Sequence, residues 1–183
     1  MEAELLASIS VEDYLQQEKL AAIKHEYLDG QIFAMAGASD DHNIVAGNIF
    51  VALKLASRSK ACQTYISDMK LRVNEQTFYY PDIMLICEDD AEPYYKEKPC
   101  VVIEVISRST ARTDLSEKLH AYLKLDSLKL YLLVNSRQAW VKGYYRSGNG
   151  WQERLFDKAD EIPLPCADIN LSFEDIYAQS GID

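Results

Sequence analysis

The sequence predicts an α/β (α+β) fold, with helices packed on one mixed central sheet. Three observations carry that expectation. The stretch "CVVIEVIS", Cys100–Ser107, is apolar or small and uncharged at every position but one, the pattern of a strand buried on both faces. Two strand-sized segments, "TYISDMKLRV" and "YYPDIMLIC", precede it, and "KLYLLVN" follows after a helical stretch. Upstream of them all, apolar residues recur at helical spacing from about residue 39 to 57.

Each element has a local reason. Ser10 with Asp13 three residues on reads as a capping box opening a short helix to about Lys19. In "EYLDGQIFAMAG", Asp29-Gly30 between two apolar runs signals a hairpin. Ser39 can cap the next helix, whose stripe is Val45, Ile49, Ala52, Leu53 and Ala56, with His42 on the same line. "TYISDMKLRV" alternates: Tyr65, Met69, Leu71 and Val73 point one way, Asp68, Lys70 and Arg72 the other, as in one half-buried strand. Pro81 sits near the start of "YYPDIMLIC", where a missing N–H is tolerable. A helix is expected from about Ala111 to Leu125, its inward stripe being Leu115, Leu119, Tyr122 and Leu123. "SGNG" centres a late hairpin, and Ser172 with Asp175 caps a last short helix.

The bulk numbers narrow the function. A chain of 183 residues suits one domain, 1–183, with its core at about 39–135. The N-terminus has no signal-peptide pattern and the apolar runs are too short to span a bilayer, so no membrane is expected and the location is expected to be cytoplasmic. Four cysteines (Cys62, Cys87, Cys100, Cys166) show no CxxC pairing, which leaves a zinc ribbon unsupported and predicts buried free thiols. Three histidines are too few and wrongly spaced for a multi-histidine metal site, so any metal is expected on carboxylates. A net charge of −10 argues against binding nucleic acid through bulk electrostatics. Locally, Lys54, Arg58, Lys60, Lys70 and Arg72 face one acid, Asp68, which allows a basic groove or an ordinary solvated face.

Glu104 is the exception inside the buried run. A carboxylate there is costly unless neutralised or used. Asp82, near the start of the preceding strand, has the parity to share its face: Asp82 aligns with Met84 and Ile86, Glu104 with Val102 and Ile106. Two carboxylates about 4 Å apart repel by roughly 4 kcal/mol at an effective dielectric of 20. They need a cation, a shared proton or a basic neighbour. Lys118 borders the inward stripe of the following helix, and although a lysine beside a core face ordinarily snorkels outward, this one has a carboxylate to meet. Two acids and a lysine suit phosphodiester hydrolysis: oxygen ligands for Mg²⁺ or Mn²⁺, and a cation for the charge that develops on phosphate.

Pro81-Asp82 followed on the next strand by Ile103-Glu104-Val105 resembles the PD-(D/E)XK nuclease superfamily. The segments "YLDGQIFAMAGASDDHNIV", "YYPDIMLIC", "VVIEVISRSTARTDLSEKLHAYLKL" and "LYLLVN" resemble more closely the Uma-type family of restriction-endonuclease-like proteins, over residues from about 26 to 135. The resemblance implies a restriction-endonuclease-like core in the order helix-strand-strand-strand-helix-strand, with N-terminal and C-terminal hairpins added. It implies a metal-dependent DNA endonuclease, with DNA as partner and a homodimer by analogy. Asp82 and Glu104 correspond to the metal-binding carboxylates, and the backbone carbonyl of Val105 to a third donor. The superfamily lysine two residues after the glutamate is replaced here by Ile106, and Lys118 matches the migrated lysine of the Uma-type pattern.

A second tier comprises His42, which corresponds to a family histidine or is a satisfied core residue, and Glu26, which reaches the site or is a solvated acid. Asp114 suits the first turn of its helix, and Ser107, Ser109 and Thr110 read as loop and cap residues. Tyr79 and Tyr80 stack on bases or pack in the fold. Two rival readings stand: a non-catalytic binding module in which Glu104 and Lys118 form a structural ion pair, and a phosphohydrolase acting on a free nucleotide.

Overall fold

The computed structural model describes residues 8–107 and 114–182. In chain order the elements are α1 (Val11–Glu18), β1 (His25–Leu28), β2 (Gln31–Ala34), α2 (Asp40–Ala56), β3 (Gln63–Ile66), β4 (Lys70–Asn74), β5 (Thr77–Tyr79), β6 (Ile83–Ile86), β7 (Tyr95–Lys96) and β8 (Pro99–Ile106). A π-helical turn (Asp114–Lys118) runs into α3 (Leu119–Tyr122). Then come β9 (Leu130–Asn135), β10 (Val141–Ser147), β11 (Gly150–Phe156), β12 (Ile162–Leu164), β13 (Ile169–Leu171) and α4 (Phe173–Tyr177).

The fold is a mixed α+β architecture, as the sequence predicts. A six-stranded sheet has the order β11-β10-β9-β8-β6-β3, with β8 and β9 parallel and its other neighbours antiparallel. Within it, α2, β3, β6, β8, α3 and β9 follow one another as helix, three strands, helix and strand. All three serines cap their helices. Ser10 accepts from the Asp13 N–H, with its hydroxyl in turn donating to the Asp13 carboxylate in place of the expected full capping box. Ser39 accepts from the His42 N–H, and Ser172 with Asp175 completes a capping box. Both hairpins form, and Asp29 (φ 47°) with Gly30 (φ 88°) takes the left-handed backbone that a two-residue turn needs.

One expected strand is two. Alternation continues through "TYISDMKLRV", yet the chain turns at Ser67, at φ 54°, so β3 joins the six-stranded sheet and β4 a second one. That second sheet, ordered β2-β1-β5-β4-β7, takes in the N-terminal hairpin. Period two survives a turn, so the side-chain pattern could not reveal it. The helix expected from Ala111 begins, among the described residues, at Asp114; Ser109, Thr110 and 111–113 lie outside them, as do the side chains of Asp114 and Leu115.

The cysteines also correct the sequence reading. They are paired, not free: Cys62 with Cys87 and Cys100 with Cys166. The register explains the first pair. Gln63 opposes Ile86 across β3 and β6, so Cys62 and Cys87 are the next residues facing each other, with Cα atoms 4.0 Å apart. The second joins β8 to the β12–β13 turn across 66 residues, a separation that sequence spacing does not reveal.

Both faces of the six-stranded sheet are buried. On one, Ile83, Leu85, Val101, Ile103 and Val105 pack under α2 and α4. On the other, Met84, Ile86, Val102, Ile106 and Leu133 meet Tyr122 of α3 and Tyr79 of β5. Glu104 belongs to this second face. Among the described residues, no helix is long and apolar enough to cross a membrane.

Candidate active site at the β6–β8 strand pair

Glu104 lies inside β8 at 2% exposure, with hydrogen-bonding partners on three sides. Its Oε1 accepts from Lys118 Nζ at 3.2 Å and from the Tyr122 hydroxyl at 2.9 Å. Its Oε2 accepts from the Asp82 N–H at 3.4 Å. Lys118 and Tyr122 are four residues apart and therefore share one helix face, which the sheet turns toward β8. The route to Lys118 is the π-helical turn, a wide turn that recurs at functional sites.

Asp82 stands just ahead of β6, where Ile83 pairs with Ile103. Its Oδ2 accepts from the Val105 N–H at 2.7 Å and lies 3.3 Å from His42 Nε2. The two carboxylates are thus laced through each other's backbone: Asp82 N–H to Glu104, Val105 N–H to Asp82. Asp82 is the more open, with its side chain 20% exposed against 3% for Glu104. Glu26 arrives from β1 in the second sheet, 3.0 Å from Lys118 Nζ, and accepts from the Tyr80 N–H at 3.2 Å. Lys118 therefore bridges two acids, one from each sheet. Burial, and then the Glu104 charge, hold the Tyr122 hydroxyl well above its ordinary range, so it stays a donor at neutral pH.

All five expected side chains, Asp82, Glu104, Lys118, His42 and Glu26, come together by these contacts. Tyr122 was legible as an inward-facing residue but not as a partner of Glu104; its hydroxyl, four residues past Lys118, was the available signal. Tyr79 and Tyr80 are buried, Tyr79 edge-on to Tyr122 and Tyr80 donating to Glu18, so neither offers a face for stacking. The basic stretch is largely occupied. Lys60 binds Asp168, Arg72 binds Glu97, and Lys70 is buried against Tyr80.

A family model described as "Putative restriction endonuclease", Uma2, matches residues 11–176. The chain belongs to the Uma2 family. Two Synechocystis sp. (strain PCC 6803) proteins, both named only as uncharacterized, are similar to this chain: slr1290 is 31% identical over 92% of this chain and 91% of its own, and sll1609 is 32% identical over 77% and 82%. The crystal structure of a "putative nuclease belonging to DUF820" from Anabaena variabilis superposes with a TM-score of 0.72, covering 92% of this chain and 97% of that one at 17% identity. That likeness shows the fold. The Uma2 match spans both sheets and every residue of the constellation around Glu104.

Proposed function

We propose that this chain is a divalent-metal-dependent endonuclease hydrolysing DNA phosphodiester bonds, centred on Asp82 and Glu104. The observation that carries the reading is the placement of Lys118. The lysine absent two residues after Glu104 is supplied from the following helix, within 3.2 Å of the carboxylate.

The donor set fits a hard divalent ion. Two carboxylates in neighbouring strands give oxygen ligands, and Mg²⁺ is characteristically held by one or two such groups with water and substrate phosphate filling the rest. Asp82 and Glu104 would hold it, with the Val105 carbonyl as a further donor. When bound, Mg²⁺ or Mn²⁺ supplies Lewis-acid charge that polarises a phosphoryl oxygen and makes water a stronger nucleophile. Lys118 places a cation where negative charge develops on the phosphate. Glu26 fixes Lys118 from the opposite side, Tyr122 orients Glu104, and His42 holds Asp82. A homodimer belongs to this reading by analogy with superfamily relatives, together with the cytoplasmic location expected from the sequence.

One observation favours a second reading. Glu104 is nearly fully buried and already paired with Lys118 and Tyr122, which suits a non-catalytic module with a structural ion pair. Cleavage of a mixed-sequence DNA library, duplex and single-stranded, separates the two. Wild type should cut with Mg²⁺ or Mn²⁺, and Asp82→Asn and Glu104→Gln should not. Equal activity in all three proteins would sink the nuclease reading.

A further inference from the structure

The four cysteines do more than form two separate crosslinks. The sulfurs of Cys87, Cys100 and Cys166 all lie within 4.8 Å of one another, and Cys62 is bonded to the first of them. Three sulfurs, from the exit of β6, the start of β8 and the β12–β13 turn, therefore cluster, and the fourth, at the entry to β3, is one bond away from the cluster through Cys87. A tetrahedral site with Zn–S bonds of about 2.3 Å has sulfur–sulfur edges of about 3.8 Å, which lies inside the 4.8 Å that bounds the Cys87, Cys100 and Cys166 sulfurs.

We propose that, once reduced, these four cysteines form a thiolate site for one thiophilic divalent ion of the Zn²⁺ class, with the two disulfides as its oxidised form. Each disulfide takes two electrons and two protons from a dithiol reductant, whose own sulfurs become paired. The four thiols then bind one Zn²⁺ and release four protons. Soft sulfur ligands select such an ion over Mg²⁺ or Mn²⁺, so this centre and the carboxylates at Glu104 sort different metals.

The surroundings support a site. Lys60 Nζ donates to the Ala167 carbonyl at 2.6 Å and the Cys166 carbonyl at 3.4 Å, pinning the left-handed turn (φ 68° at Cys166) that aims this sulfur inward. Cys62 and Cys100 are buried, whereas Cys87 opens on a cleft of about 330 Å³ lined by Gln63, Tyr65, Glu88, Asp89 and Asp90. That acidic mouth is an entry path that attracts cations.

The test is an anaerobic Co²⁺ titration of the reduced, full chain, followed by Zn²⁺ displacement. One Co²⁺ per chain should bind with thiolate-to-metal charge-transfer absorption, and one equivalent of Zn²⁺ should erase it. Cys87→Ser and Cys166→Ser should each weaken binding by more than the roughly hundredfold that loss of an outer-shell partner causes. Asp82→Asn should bind as wild type does. No thiolate band in the reduced wild type, or tight binding retained in both serine variants, overturns the proposal. Alkylation read by mass gives a check that needs no variant: bound Zn²⁺ should protect all four cysteines together, and protection of fewer overturns it.

Discussion

Ile103 and Glu104 are neighbours in β8, at 0% and 2% exposure, yet they face opposite sides of one sheet. On the Ile103 side the sheet meets α2 and α4 through aliphatic and aromatic side chains. On the Glu104 side the cover is tyrosine-rich, and a carboxylate, an ammonium and a phenol are bonded in its centre. Burial alone does not tell these faces apart. The difference is that one face is stabilised by area removed from water, while the other holds charges whose desolvation must be offset by partners.

The largest expected effect separates the faces by function. Glu104→Gln should lower cleavage by about a thousandfold, whereas Ile103→Ala should leave the rate per folded molecule unchanged while costing about 2–5 kcal/mol of stability. Cleavage assays alongside urea unfolding check both, and a fall in specific activity for Ile103→Ala would break the comparison. Next comes Lys118→Met, which leaves Glu104 and Glu26 without their shared cation. A stability loss of about 3–5 kcal/mol is expected, together with loss of cleavage. Were stability unchanged, the ion pairs would not be holding the two sheets together.

Smaller effects sharpen the picture. Tyr122→Phe removes one hydrogen bond to a charged acceptor, so about 1.5–3 kcal/mol should be lost in thermal unfolding. On the apolar side, burial pushes the Tyr177 hydroxyl up to about 12, although its bonds with Trp140 and Asn135 pull the other way. The folded state holds that proton more tightly than the unfolded chain, where the group titrates near 10. Its contribution is thus complete below about pH 10 and is lost as pH rises towards 12. Tyr177→Phe should flatten the alkaline limb of a stability profile by on the order of 2 kcal/mol; an unchanged limb would contradict this.

Much of the site was legible because strand parity and helical spacing are local. Glu104 stood out as the charge in an apolar run, Asp82 had matching parity, and Lys118 bordered an inward stripe. The Uma-type resemblance added His42, and Glu26 was a candidate from its place before the hairpin turn; both placements depend on how α2 and β1 approach the strand pair. What stayed hidden depends on the chain's path in space. The turn at Ser67 preserves alternation, the second sheet needs β1 to find β5, and the cysteine partners stand 25 and 66 residues apart. Capping and hairpin turns were predictable for the opposite reason, since each closes within about four residues.

The central claim is that Asp82 and Glu104 hold a divalent ion and are not merely halves of a structural ion-pair network. Electron paramagnetic resonance of free Mn²⁺ in a titration tests it directly, because Mn²⁺ prefers oxygen ligands and leaves the cysteines aside. The account predicts one Mn²⁺ bound per wild-type chain and none, at the same concentrations, for Glu104→Gln. Equal Mn²⁺ uptake by the two proteins, or no uptake by wild type with DNA present, would contradict it.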